Sequence, residues 1–224
     1  MATLRAVLFD LDDTLTDRSR SIKRLAGRFL DRFGPDLAGC ELHQLIRVIH
    51  GGDRGGYAAR EELGAHLQSS LPWRKAPGVE RLVDFWRDNF PRCNVERSGV
   101  TSTLQTLNQK GLKLGVISNG FTASQNTKLD VMGIRSLFSV VLISQEIGIS
   151  KPDPRIFQMG LDKLGVLASE TIFVGDNPVL DVAGPCAVGI RSIWLDCRGD
   201  QPPGNVACPE SIASIDQLID LCEG

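Results

Sequence analysis

The sequence predicts an α/β fold: a three-layer, Rossmann-like parallel sheet core with an inserted α-helical cap subdomain. Three observations carry this expectation. Short, nearly continuous apolar runs recur along the 224 residues, as strands covered on both faces require. From residue 98 onward these runs alternate with helical patterns, the order of a parallel sheet joined by right-handed crossovers. Between the first and second runs, residues 17–93 hold helix-like patterns and no convincing strand.

The first strand is expected over residues 4–9 and ends in Asp10, Asp12 and Asp13. Helical patterns follow at 22–33, 41–50, 57–67 and 79–90, separated by Gly34-Pro35, the Gly-rich stretch 51–56 and Ala76-Pro77-Gly78. The core is therefore assigned to residues 1–16 and 94–224, and the helical cap to 17–93. A helix over 98–110 places Val100, Leu104 and Leu107 on one stripe, with Gly111 just past its end. The second strand, 112–117, runs into Ser118-Asn119-Gly120, and a short helix over 126–132 stops at Gly133. A third strand is expected at 138–143. Pro154 suits a first helical turn, and Ile156, Phe157, Leu161 and Leu164 form one stripe up to Gly165. The fourth strand (171–174), a helix over 179–188, the fifth strand (190–195), a loop at 200–204 and a last helix near 214–222 complete the pattern.

Composition narrows the function classes. A chain of this length buries roughly 70% or more of its unfolded surface, so it needs no metal or disulfide staple. With 42% hydrophobic residues it is not a disordered chain, and it has no apolar run near membrane-spanning length. The 25 Lys+Arg nearly balance 27 Asp+Glu, for a net charge of −2, so neither nucleic acid nor a membrane surface is expected as a partner. The six cysteines lack the close spacing of zinc or redox pairs. With no cleavable leader pattern at the N-terminus, a cytoplasmic location is expected. Nothing bears on oligomeric state.

In an open parallel sheet, ligands bind at the carboxyl ends of the strands. Asp10 and Asp12 follow the first strand and Ser118-Asn119 the second, Lys151 precedes the helix after the third, and Asp176 and Asp181 follow the fourth. Singly, each has a plain reading: a carboxylate as turn former or helix cap, a Ser-Asn-Gly turn, a solvated lysine. Together on one sheet edge they point to a site. Asp10, Asp12 and Asp176 drawn close would repel, forcing one to stay neutral unless a cation sat among them. Hard oxygen ligands indicate Mg²⁺, which takes one or two carboxylates, waters and substrate phosphate. A lysine and a serine hydroxyl facing the same point suit a phosphate oxygen. The combination describes phosphoryl chemistry.

The motifs resemble those of the haloacid dehalogenase-like hydrolases. Residues 9–15 (FDLDDTL) are similar to the first motif, Ser118-Asn119-Gly120 to the second, Lys151-Pro152 to the third, and residues 175–181 (GDNPVLD) to the fourth. The helical insertion after the first motif resembles the cap of one subfamily. The resemblance implies that Asp10 is a nucleophile forming an aspartyl phosphate, and that Asp12 is the general acid and then the general base. It implies that Ser118 and the Asn119 backbone amide hold phosphoryl oxygens, with Lys151 neutralising charge. Asp10, the Asp12 carbonyl and Asp176 would bind Mg²⁺, with Asp181 as a secondary or alternate ligand. Thr14 would position Asp12 or assist at the phosphate, or serve only as a helix-start residue.

In the family's dehalogenases the residue two after the nucleophile is not an acid. Asp12 therefore argues for a Mg²⁺-dependent phosphatase acting on a small soluble phosphomonoester such as a sugar phosphate or nucleotide. A phosphotransferase or mutase on the same fold is the first alternative. A phospho-accepting, non-catalytic module is the second; receiver domains carry a similar constellation, but they are shorter and bear the phosphorylated Asp after the third strand. Specificity is expected in the cap. There the stretch 51–56 reads as a flexible loop exposing one charge of each sign, with Arg54 as substrate-contact candidate and His50, Arg60, Trp73 and Arg74 behind it.

Overall fold

A computed structural model describes residues 3–196 and 210–222 and divides the chain into two compact units, Met1–Thr16 with Glu96–Gly224, and Asp17–Val95. In chain order the elements begin with β1 (Ala6–Phe9) and helices α1 (Arg18–Phe33), α2 (Leu42–Asp53), α3 (Arg60–Ser70) and α4 (Val79–Asn89). There follow α5 (Val100–Gln109), β2 (Lys113–Ser118), α6 (Thr122–Met132), β3 (Val140–Ile143), α7 (Ser144–Ile147), α8 (Pro154–Leu164) and β4 (Thr171–Gly175). A π-helical turn (Pro178–Ala183), α9 (Gly184–Cys186), β5 (Arg191–Leu195), β6 (Glu210–Ile212) and α10 (Leu218–Leu221) end the described chain. The expected loop at 200–204 lies outside the described residues.

The first unit is a six-stranded sheet in the order β3-β2-β1-β4-β5-β6 with every pair parallel. Side-chain alternation divides each strand between two apolar layers. Val7 and Phe9 of β1 join Val116, Val174 and Ile193 against Val100, Leu104 and Leu107 of α5 and Leu129 of α6. Ala6 and Leu8 join Ile117, Leu142 and Phe173 against Ile156, Phe157, Leu161 and Leu164 of α8. Helices thus cover both faces, and the strands are buried as their apolar runs demand. The register sets Phe9 level with Val116 and Val174, so the residues just beyond β1, β2 and β4 emerge on one edge. β1 and β4 are neighbours although β2 and β3, which come between them in the chain, lie on the other side of β1, which makes their ends the topological switch point.

Three local features depart from the sequence expectation. Helix α6 starts four residues before the anticipated 126, because its first turn (Thr122, Ser124, Gln125) offers no apolar periodicity to read. The single helix expected over 179–188 is a π-helical turn followed by the three-residue α9. The short elements α7 and β6 carry too few apolar residues to announce themselves.

The second unit has its own core. Ile22, Leu25, Phe29 and Phe33 line one face of α1 and meet Leu45 and Ile49 of α2, Leu63 and Leu67 of α3, and Leu82 and Trp86 of α4. Phe29 and Phe33 lie 4.7 Å apart between centroids, with the Phe85 ring edge-on to both. The exposed loop expected at 51–56 is not what forms. Residues 51–53 complete α2, and Asp53 is fully buried, accepting 2.6 Å bonds from both Nε and Nη2 of Arg18. Arg60 Nη1 lies 3.6 Å from the same carboxylate, and the Arg18 guanidinium rests 4.9 Å from the Phe90 ring centroid. Gly56, with φ +94°, packs so closely that a Cβ there would come within 2.9 Å of Arg18 Cζ. Arg54 remains exposed beside Glu62, at 3.4 Å.

Within the first unit, Thr16 and Glu96 form an antiparallel bridge and Arg97 N donates to Leu15 O at 2.9 Å. Within the second, Asp17 N donates to Val95 O at 2.8 Å. The two crossings between units are therefore side by side.

Removing one partner of a buried ion pair leaves an uncompensated charge, at a cost of about 3–5 kcal/mol. Asp53→Ala should lower stability by that amount, seen as an earlier urea transition in tryptophan fluorescence. An unchanged midpoint would contradict the placement of the pair.

Candidate active site

Asp10 leaves β1 with its backbone N–H still bonded to Val174 O at 2.9 Å, so the strand itself fixes where the carboxylate stands. It is 7% exposed. The loop that follows is held by Arg97, whose Nη2 donates to Asp13 O at 2.6 Å and whose Nε donates to Thr14 O at 3.2 Å. Asp13, at φ 58°, makes the left-handed turn, a conformation Asp tolerates better than most residues.

Lys151 reaches this point from the segment before α8. Its backbone is anchored by the Asn119 side chain: Lys151 N donates to Asn119 Oδ1 at 2.8 Å and Asn119 Nδ2 donates to Lys151 O at 3.0 Å. Its buried Nζ donates to Asp10 Oδ1 at 2.5 Å and to Asp181 Oδ1 at 2.7 Å. The other Asp181 oxygen accepts from Asn177 N at 3.0 Å. Asp176 follows β4; its Oδ1 accepts from the buried Thr14 hydroxyl at 3.3 Å, and its carbonyl accepts from Trp194 Nε1 at 2.9 Å.

One oxygen from each of Asp10, Asp176 and Asp181 lies within 4.8 Å of the other two. Two unit charges at such a distance repel by roughly 3–4 kcal/mol at an effective dielectric near 20. Burial, followed by the Asp181 and Asp176 carboxylates, pushes the Asp10 carboxyl well above its ordinary range, against the opposing pull of Lys151. Burial also works against the charge on Lys151, but Asp10 and Asp181 outweigh it and hold the ammonium above the usual lysine range. An all-oxygen, anionic cluster gathered around a buried lysine fits a hard divalent cation.

The carboxylate trio is not the one anticipated from sequence. Asp181 stands in it, whereas the Asp12 side chain turns to α6, where Lys128 Nζ donates to its Oδ1 and Oδ2 at 2.6 and 2.7 Å and Gln125 Nε2 donates to Oδ2 at 2.8 Å. The attraction of a buried ammonium decides the direction. Gln125 Nε2 also donates to Ser118 Oγ at 2.7 Å, which joins the end of β2 to Asp12. Asp10, Thr14, Lys151, Asp176 and Asp181 thus form one group, with Asp12 and Ser118 linked beside Asp10 through Gln125. The Thr14 hydroxyl bonds Asp176, and the Asn119 side chain serves the Lys151 backbone. Arg54 belongs to the other unit. Sequence reasoning missed Arg97, Gln125 and Lys128. For the last two, the signal was a three-residue spacing on a helix leaving the strand end, ahead of Leu129.

A Cβ on Gly175 would fall on the Asp181 carboxylate. Gly175→Ala should therefore displace Asp181 and lower stability by about 1–3 kcal/mol through overpacking, read as an earlier urea transition. A variant indistinguishable from wild type would refute this placement.

A family profile described as haloacid dehalogenase-like hydrolase matches residues 7–195. The glyceraldehyde 3-phosphate phosphatase of Methanocaldococcus jannaschii is 40% identical, covering 97% of this chain and 96% of that one. The phosphoserine phosphatase of Thermus thermophilus is 45% identical over 102 residues, 46% of this chain, so the match spans only 41% of that protein's length. Among solved structures, the magnesium-bound hydrolase YfnB of Bacillus subtilis superposes with a TM-score of 0.79 at 20% identity, over 100% of both chains; that likeness concerns the fold.

Proposed function

The chain belongs to the haloacid dehalogenase-like hydrolases, a phosphoric monoester hydrolase among them, and we propose that it is a Mg²⁺-dependent phosphatase working through an aspartyl phosphate on Asp10. The carrying observation is the buried lysine that binds Asp10 while two further carboxylates crowd the same point. A carboxylate held by an ammonium at a strand end is fixed in place to attack phosphorus, and the same ammonium offsets charge gathering on the transferring group.

In this reading the Asp10 carboxylate forms the new bond to phosphorus as the ester oxygen departs, and Asp12 gives that oxygen its proton. Asp12 then takes a proton from water, whose oxygen attacks phosphorus, releasing inorganic phosphate and freeing Asp10. The Ser118 hydroxyl and the Asn119 backbone amide hold the phosphoryl oxygens. Asp10, Asp176 and the Asp12 carbonyl would hold the Mg²⁺, with Asp181 as secondary ligand and Thr14 orienting Asp176. When bound, the ion supplies charge stabilisation at the phosphoryl oxygens.

The substrate in this reading is a small phosphorylated metabolite. Glyceraldehyde 3-phosphate is the first to assay, because a relative matching nearly the full chain carries that name. The helical unit would confer specificity as a cap, with the exposed Arg54 as its candidate contact.

The test is a phosphate-release panel of triose phosphates, phosphoserine, pentose phosphates and nucleoside monophosphates, with Mg²⁺ and with chelator. Turnover is expected with Mg²⁺ and should vanish in chelator. Asp10→Asn should cost about 10⁴-fold or more, as loss of a covalent nucleophile does. Full activity in chelator, or activity that requires a bisphosphate activator and releases no phosphate, would overturn the reading.

A further inference from the structure

The surroundings of Asp12 carry an inference that rests on the phosphatase reading above. We propose that Gln125 and Lys128 are positioning residues that aim the Asp12 carboxylate for proton transfer and tie it to the phosphoryl-binding hydroxyl of Ser118.

Both side chains project from one face of α6, three residues apart, and they are buried at 2% and 4% exposure. Lys128 engages both Asp12 oxygens and Gln125 engages one, so the carboxylate is fixed in plane as well as in position. Both Asp12 oxygens accept from these donors, which orients the Gln125 amide with its nitrogen toward Asp12. The same nitrogen donates to Ser118 Oγ. Ser118 therefore accepts from Gln125, which leaves its own hydroxyl proton to donate to a phosphoryl oxygen in the phosphatase reading.

Solvation alone does not account for this arrangement. The Asp12 side chain is 33% exposed and within reach of water, yet the fold desolvates an ammonium beside it. Lys151 is committed to Asp10 and Asp181, so Lys128 is a separate cation serving a separate carboxylate.

The consequence is selective by leaving group. An alkoxide needs a well-aimed proton donor, whereas 4-nitrophenolate departs without one. General acid–base catalysis typically contributes 10²–10⁴-fold. Lys128→Met should therefore lower kcat/KM about 100-fold for an alkyl phosphomonoester that the wild type turns over, and less than about tenfold for 4-nitrophenyl phosphate. Lys128→Arg, which keeps charge and donors, should recover most of the loss. Gln125→Leu should show the same split between substrates and also raise the inhibition constant of inorganic phosphate. An equal loss on both substrates, or no loss, would overturn the proposal while leaving an active wild type. A wild type that releases phosphate from neither ester would instead defeat the phosphatase reading.

Discussion

The ammonium of Lys151, enclosed between the carboxylates of Asp10 and Asp181, is the interaction on which the rest of the site depends. It arrives from a segment distant in sequence, and it is worthwhile only if the sheet register delivers Asp10 and the end of β4 to the same place. Burial makes the arrangement demanding. Charges this close cannot be screened by water, so each missing partner exposes the desolvation cost of the others. The Asn119 amide gripping the Lys151 backbone and the Arg97 clamp on the loop after β1 follow from that demand. They remove the freedom by which the charges would drift apart.

The same logic explains which parts were legible in the sequence. The five principal strands and α8 could be read because they are buried on the faces their apolar patterns describe, and α8 carries its own punctuation: Asp153 caps it, Pro154 opens it and Gly165, at φ 63°, closes it. The acidic residues could be placed because a parallel sheet orders its strand ends. What could not be read was which carboxylate faces which cation. Asp12 and Asp181 are alike as letters, and only the approach of Lys128 to one and Lys151 to the other separates them. Asp53 was hidden for a related reason. Flanked by glycines it looks like a loop charge, and it is Arg18, thirty-five residues earlier, with Arg60 beside it, that makes burial tolerable.

Helix α6 illustrates the limit of hydrophobic periodicity. Its inward face is Gln125, Lys128 and Leu129, so two of the three buried positions are polar. A pattern search for apolar spacing discounts such a helix, although its polar buried face is what brings it to the chemistry. A segment that breaks local rules while being compensated in three dimensions is where function is expected to sit.

The paired crossings at Thr16–Glu96 and Asp17–Val95 have an evolutionary consequence. Strands that enter and leave a domain side by side can be rejoined by a tight hairpin, so the intervening helices are an exchangeable cassette. An exchange of one such cassette for another would leave the strand ends of the first unit, and the residues they carry, in place.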